Sequence, residues 1–214
     1  MKKLTLVVAV TAALIGSVTS ARAESGTLIG GGRLALNYSN LVYDGYYDAN
    51  DGGIGIEAGV LGRYVVVDNL VGVHAGFNVI YREPYYWDRN NRAHETAVSV
   101  PLLFEINPFV SSGLSSSYYE MIFVQVGLQA DYVFDFTMKD NIFKGTSSEE
   151  NWDRNNVNIG VVLGAVGYFN SNCSLDIRAV YGVTRFADIS DYNGKPKKID
   201  QNLYSVTIGV SVYL

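Results

Sequence analysis

Leu203-Tyr204-Ser205-Val206-Thr207-Ile208-Gly209-Val210-Ser211-Val212-Tyr213-Leu214 decides how the chain is read. Its even positions hold Tyr, Val, Ile, Val, Val and Leu, and its odd positions from 205 to 211 hold Ser, Thr, Gly and Ser. A β-strand sends successive side chains to opposite faces, so this period of two makes one oily face and one small, polar face. A strand that runs to the last residue presents a free edge, and a free edge invites pairing. The expectation is that it pairs back to the first strand and closes a membrane β-barrel.

The same alternation recurs upstream. Thr27 to Tyr38 sets Leu28, Leu34, Leu36 and Tyr38 against Arg33 and Asn37. Gly53 to Tyr64 sets Ile54, Ile56, Val60 and Tyr64 against Glu57 and Arg63, and the next strand sets Val71, Val73, Phe77 and Tyr81 against His74, Asn78 and Arg82. Glu95 to Ile106 opposes Val98, Val100, Leu102 and Phe104 to Glu95, Ser99 and Glu105, with Pro101 predicting a bulge or local break. Tyr118 to Phe134, Asn155 to Phe169 and a strand around Leu175 to Val183 follow, with Asp131, Asp176 and Arg178 on their polar faces. With the closing strand there are eight. Long polar stretches alternate with short turns: Ser39 to Gly52, Glu83 to Arg92, Thr137 to Arg154 and Ala187 to Asp200 are read as loops. This is the pattern of an all-β, eight-stranded antiparallel up-and-down transmembrane barrel.

Composition agrees. Hydrophobic residues make up 48% and charged residues 17%, with 22 Gly, 16 Tyr and only 4 Pro, a mix that suits many strands better than helices. Residues 1–23 read as a cleaved secretory signal: Lys2 and Lys3, an apolar run from Leu4 to Ile15, then Ala21-Arg22-Ala23. The barrel domain is then 24–214. Removing Lys2, Lys3 and Arg22 leaves 13 basic against 21 acidic residues, a net charge of −8. Such a chain repels nucleic acid. The single cysteine, Cys173, forms no internal disulfide.

Polarity decides which face is inside. The oily face continues on all eight strands, whereas a lipocalin-like barrel or a soluble sandwich would show water a face rich in Lys and Glu. Here the polar face is rich in Gly. An eight-stranded barrel is just wide enough inside to be filled by side chains. Arg33, Arg63, Arg82 and Arg178 face that interior together with Glu57, Glu95, Glu105, Asp131, Asp176 and His74. An unpaired buried charge is costly, so these ten are expected to form one polar lumen network. Aromatics at strand ends, among them Tyr38, Tyr64, Tyr81, Tyr132 and Tyr204, suit interfacial girdles.

Three stretches carry a family resemblance. Val98-Ser99-Val100-Pro101-Leu102-Leu103-Phe104-Glu105 resembles the proline-containing fourth strand of the PorT-like outer-membrane β-barrel family. Asn158 to Ala165 resembles its Gly-x-x-x-Gly strand, and Asp176 to Thr184 its Arg-x-x-Tyr-Gly strand. The family shares its architecture with the small OmpA/OmpX-type barrels, and one branch is linked to protein secretion. The resemblance implies the fold and a bacterial outer-membrane location. The last eight residues also resemble the signal read by the barrel-assembly machinery. Thr207 and Gly209 match it, while Val212 and Leu214 are aliphatic where aromatics are usual.

Chemistry-bearing patterns are sparse. His74 is read as a hydrogen-bonded lumen residue, and His94 has no His-x-Ser neighbour. No zinc spacing, P-loop or dinucleotide fingerprint occurs, so no metal, cofactor or enzymatic activity is expected. The donors Asp44, Asp48, Asn50 and Asp51 lack EF-hand spacing and read as a solvated loop. Trp87-Asp88-Arg89-Asn90-Asn91 recurs as Trp152-Asp153-Arg154-Asn155-Asn156, which suits either a surface-ligand contact or an aromatic rim device. Tyr46, Tyr47, Trp87 and Trp152 are the candidate surface-loop contacts. Expected partners are outer-membrane lipid, the barrel-assembly machinery, and a surface ligand or envelope protein. The leading reading is a non-enzymatic envelope barrel. A narrow pore, a lipid-modifying enzyme and an accessory barrel in secretion stand as alternatives.

Overall fold

A computed structural model describes residues 25–43, 52–83, 92–109, 121–139, 152–154, 156–170, 172–184, 187–189 and 199–214. The alternating runs become strands: β1 (Leu28–Tyr43), β2 (Gly53–Val67), β3 (Val71–Arg82), β4 (Arg92–Ile106), β5 (Ile122–Lys139), β6 (Trp152–Arg154), β7 (Val157–Asn170), β8 (Cys173–Gly182), β9 (Ala187–Ile189) and β10 (Ile199–Tyr213). Eight of them pair in the order β1-β2-β3-β4-β5-β7-β8-β10, and β10 pairs again with β1. Every pairing is antiparallel. The result is a closed eight-stranded up-and-down β-barrel. Its seam runs from Gly31 opposite Tyr213 to Tyr43 opposite Gln201, the closure that the terminal alternation predicts.

The faces follow the sequence. Leu36 is 62% exposed and Leu128 55%, on strands far apart around the wall. Between them Phe77, Leu102, Phe104, Leu163, Ile177 and Ile208 also face outward. All ten charged and histidine residues expected in the lumen are buried inside. The interior is less uniformly polar than the sequence reading holds. Leu103, Val162 and Val180 form an apolar cluster within it, because these strands also place branched residues on the inner parity.

Local geometry explains the turns. Asn69 has φ 54° in the tight β2–β3 connection, a left-handed conformation that asparagine accepts readily. Leu70 N–H closes this turn on the Val67 carbonyl at 3.1 Å. Pro101 interrupts the ladder to β3: pairing runs from Ala75–Leu102 to Asn78–Ser99 with the intervening pairs missing and no change of register. This is the local break expected of a residue with no N–H. The register shift in β4 lies elsewhere, against β5 at Thr96/Ala97.

Several loop boundaries need correction. β1 continues through Tyr43, with Ser39 paired to Gly53 and to Ser205, so residues 39–43 are wall. β5 continues to Lys139, pairing with Arg92. Trp152 belongs to the short strand β6, which pairs with β9, and β9 pairs with the start of β10 at Ile199–Gln201. These rim ribbons stand beyond the barrel wall and carry no simple alternation, which is why they read as loop. The expected leader (1–23), Asp44, Asp48, Asn50, Asp51, Tyr46, Tyr47 and Trp87 lie outside the described residues.

Candidate functional site

The side chains of the lumen fall into three groups, two of them joined through Gln125. At the end that carries the β2–β3 turn, Glu105 is a hub. Its carboxylate accepts hydrogen bonds from Arg63 Nε at 2.8 Å, Gln125 Nε2 at 2.8 Å and Tyr168 Oη at 2.9 Å. His74 Nδ1 lies 3.3 Å from the same group. Arg63 in turn lies over two rings, 4.3 Å from the centre of Tyr168 and 5.1 Å from that of Phe123. Phe123 meets Tyr168 edge-on at 5.5 Å, and Tyr168 leans on Tyr213 at 5.8 Å. Guanidinium-on-ring contacts in a desolvated setting contribute about 2 kcal/mol. Together these residues make a plug of aromatic rings around one ion pair.

The second group crosses the seam. Arg33 on β1 donates from Nε and Nη2 to Asp176 on β8, at 3.0 and 2.7 Å, and from Nη1 to Glu57 on β2. Two parallel N–H···O bonds to one carboxylate are the strong, directional form of this pair. Arg178 Nε reaches both Asp176, at 3.1 Å, and the Gln125 carbonyl oxygen, at 3.1 Å. Gln125 thereby joins this group to the plug. The Arg33 guanidinium rests on bare backbone: a Cβ on Gly209 would stand 2.6 Å from Arg33 Nη2.

The third group lies toward the long connections. Arg82 Nε donates to Glu95 at 2.9 Å, its Nη2 reaches Asp131 at 3.1 Å, and Gln129 Nε2 donates to Asp131 at 2.9 Å. On the same inner face, the Asn37 amide, the Ser39 and Ser99 hydroxyls and the Asn78 Oδ1 are buried with no protein partner. The lumen therefore gathers aromatic rings around the Arg63–Glu105 pair at the turn end, and amide, hydroxyl and carboxylate groups toward the loop end.

All ten predicted lumen residues thus come together, in three sets. Sequence reading missed Phe123, Tyr168 and Tyr213. Each sits on the inner parity of its strand, in step with Gln125, Asn158 and Ser211 respectively, so counting by twos could have found them. Thr207 and Gly209 are also inward, opposite Asn37 and Ala35 at the seam. Val212 pairs with Gly32, and Leu214 N–H donates to the Gly30 carbonyl at 2.8 Å. Among the described residues no hydroxyl or thiol is hydrogen-bonded to His74, and the buried Ser174 hydroxyl meets the Tyr213 hydroxyl at 3.3 Å.

Fold and interior together define a class: a small closed antiparallel barrel with an apolar exterior and an ion-paired, aromatic-plugged lumen. Among solved structures, the chain is similar to the outer membrane protein OprG from Pseudomonas aeruginosa, at 15% identity over 89% of this chain and 97% of that one, with a TM-score of 0.45. It is similar to Ail, the attachment invasion locus protein of Yersinia pestis, at 14% identity over 89% and 99%, TM-score 0.43. A third is Neisserial surface protein A, at 10% identity over 86% and 96%, TM-score 0.42. No family model matches the chain, and no curated sequence matches it. The fold assignment rests on the closed register.

Proposed function

We propose that the protein is a bacterial outer-membrane barrel that spans the bilayer as a closed, non-conducting scaffold and carries its long connections to the cell surface for a ligand or envelope partner. The observation that supports this most is the plug: Arg63, Glu105, Tyr168, Phe123 and Tyr213 interlock across one end of the lumen. A route for ions would have to part a buried ion pair that is hydrogen-bonded on several sides, which leaves its charges uncompensated in a desolvated site. The outward leucines, valines and aromatics on all eight barrel strands support the bilayer. On this reading the closing strand, with Thr207, Gly209, Val212 and Leu214, is also what the barrel-assembly machinery meets.

Planar-bilayer recording of the refolded protein tests the proposal. The expected result is no stable conductance above the bare membrane. A steady ohmic channel that survives in wild-type protein would overturn it and favour the pore alternative.

A further inference from the structure

A second cluster lies on the outside of the wall, at the rim where β3 and β4 end. Glu83 follows directly on β3 and, in the register that pairs Arg82 with Glu95, falls opposite His94. Tyr81 lies two residues before Glu83 and so shares its face. The three polar atoms converge. Tyr81 Oη is 2.7 Å from Glu83 Oε1 and 2.9 Å from His94 Nδ1, and His94 Nδ1 is 3.1 Å from Glu83 Oε1. The Tyr81 and His94 rings lie near-parallel, 25° apart with centres 6.3 Å distant. The side chains of His94 and Glu83 are 23% and 29% exposed, so solvent reaches the cluster.

We infer that Tyr81, Glu83 and His94 form a binding site for a borderline transition-metal dication, zinc or copper(II). One nitrogen and two oxygens in a triangle are a donor set such ions accept, imidazole and carboxylate being their common ligands. Bonds of about 2.0–2.2 Å at octahedral or tetrahedral angles hold donors about 2.9–3.4 Å apart. The triangle here measures 2.7, 2.9 and 3.1 Å, so it opens by only a few tenths of an ångström to receive an ion. The scaffold holds it ready: Glu83 and His94 stand one step past Arg82–Glu95, the last pair of the β3–β4 ladder, and Tyr81 lies on β3 two residues back from Glu83. Binding needs the Nδ1 lone pair, so the imidazole proton moves to Nε2. His94 and Glu83 are the strong ligands, and the Tyr81 phenol is a neutral third oxygen.

The test uses the full mature chain, without a polyhistidine tag, refolded in detergent micelles and titrated with zinc chloride. The chain has two histidines, so two sets of imidazole signals appear by NMR. The His94 set should shift and saturate while the His74 set, inside the barrel, stays in place. Glu83→Gln should weaken zinc binding at least about tenfold, and Tyr81→Phe should weaken it less. Heat-modifiable migration in gels confirms that each variant is folded. His94 signals unmoved at millimolar zinc would overturn the site, as would undiminished binding in folded Glu83→Gln.

Discussion

Replacing Glu105 by glutamine keeps the side chain's shape and removes one negative charge from the plug. Arg63, Gln125 and Tyr168 all donate to that carboxylate, with His74 beside it. The glutamine offers one acceptor oxygen and turns an NH₂ group toward donors. Arg63 keeps its contacts with Tyr168 and Phe123, so those cancel in the comparison, and the loss of its counter-charge dominates. Removing one partner of a buried pair costs about 3–5 kcal/mol, and the retained shape and acceptor put this variant near the lower end, about 3 kcal/mol. That is a change of about 150-fold in the unfolding equilibrium. Urea titration of the protein in lipid vesicles, read by heat-modifiable migration, measures it. Arg63→Met alone and the double variant complete the cycle. The double variant should cost less than the two singles together by about 1–3 kcal/mol, because the second change removes a charge already unpaired. A single-variant loss below about 1 kcal/mol, or strict additivity, would refute Glu105 as the hub.

Gly209→Ala should destabilise the barrel by about 1–3 kcal/mol, since its methyl group overlaps the Arg33 guanidinium. Urea unfolding of protein refolded without assembly machinery reads this packing effect alone, and unchanged stability there would leave Gly209 to recognition. Leu128→Arg, at an outward position in β5, should cost about 2–4 kcal/mol if it lies near the bilayer midplane, and arginine at Tyr132, two repeats of the pleat nearer the rim, should cost less. Equal costs in vesicles at the two depths would count against the lipid-facing band.

The barrel was legible because one face of each crossing strand is uniformly oily. A period of two fixes inside and outside at once, so Arg33, Glu57, His74 and the other seven could be placed without coordinates. Their partners could not. Arg33 and Asp176 are 143 residues apart, and strand stagger, which no local pattern reports, decides that they meet. The plug escaped for a different reason: Phe123, Tyr168 and Tyr213 lie near strand ends, where an aromatic residue suggests a membrane interface, and only parity tells a ring turned inward from one turned out. Rim strands β6 and β9 are short pieces off the barrel wall with no oily face to alternate. Tyr81 was read as a girdle residue, and its face is indeed outward. Its ties to Glu83 and His94 depend on a cross-strand register that the sequence leaves open.

The position of Arg33 has a consequence for how the barrel is born. It sits on β1, while Asp176 lies on β8 and the closing strand β10 runs between them. Until β1 meets β10, that guanidinium has only Glu57 of the neighbouring strand β2, and that carboxylate only Arg178 of its own strand. Zipping the margins also completes the Arg33–Asp176 pair, so half-closed forms lack both the backbone bonds of the seam and the bidentate bond across it. Arg33 acts as a latch: its grip on Asp176 comes only at the moment of closure.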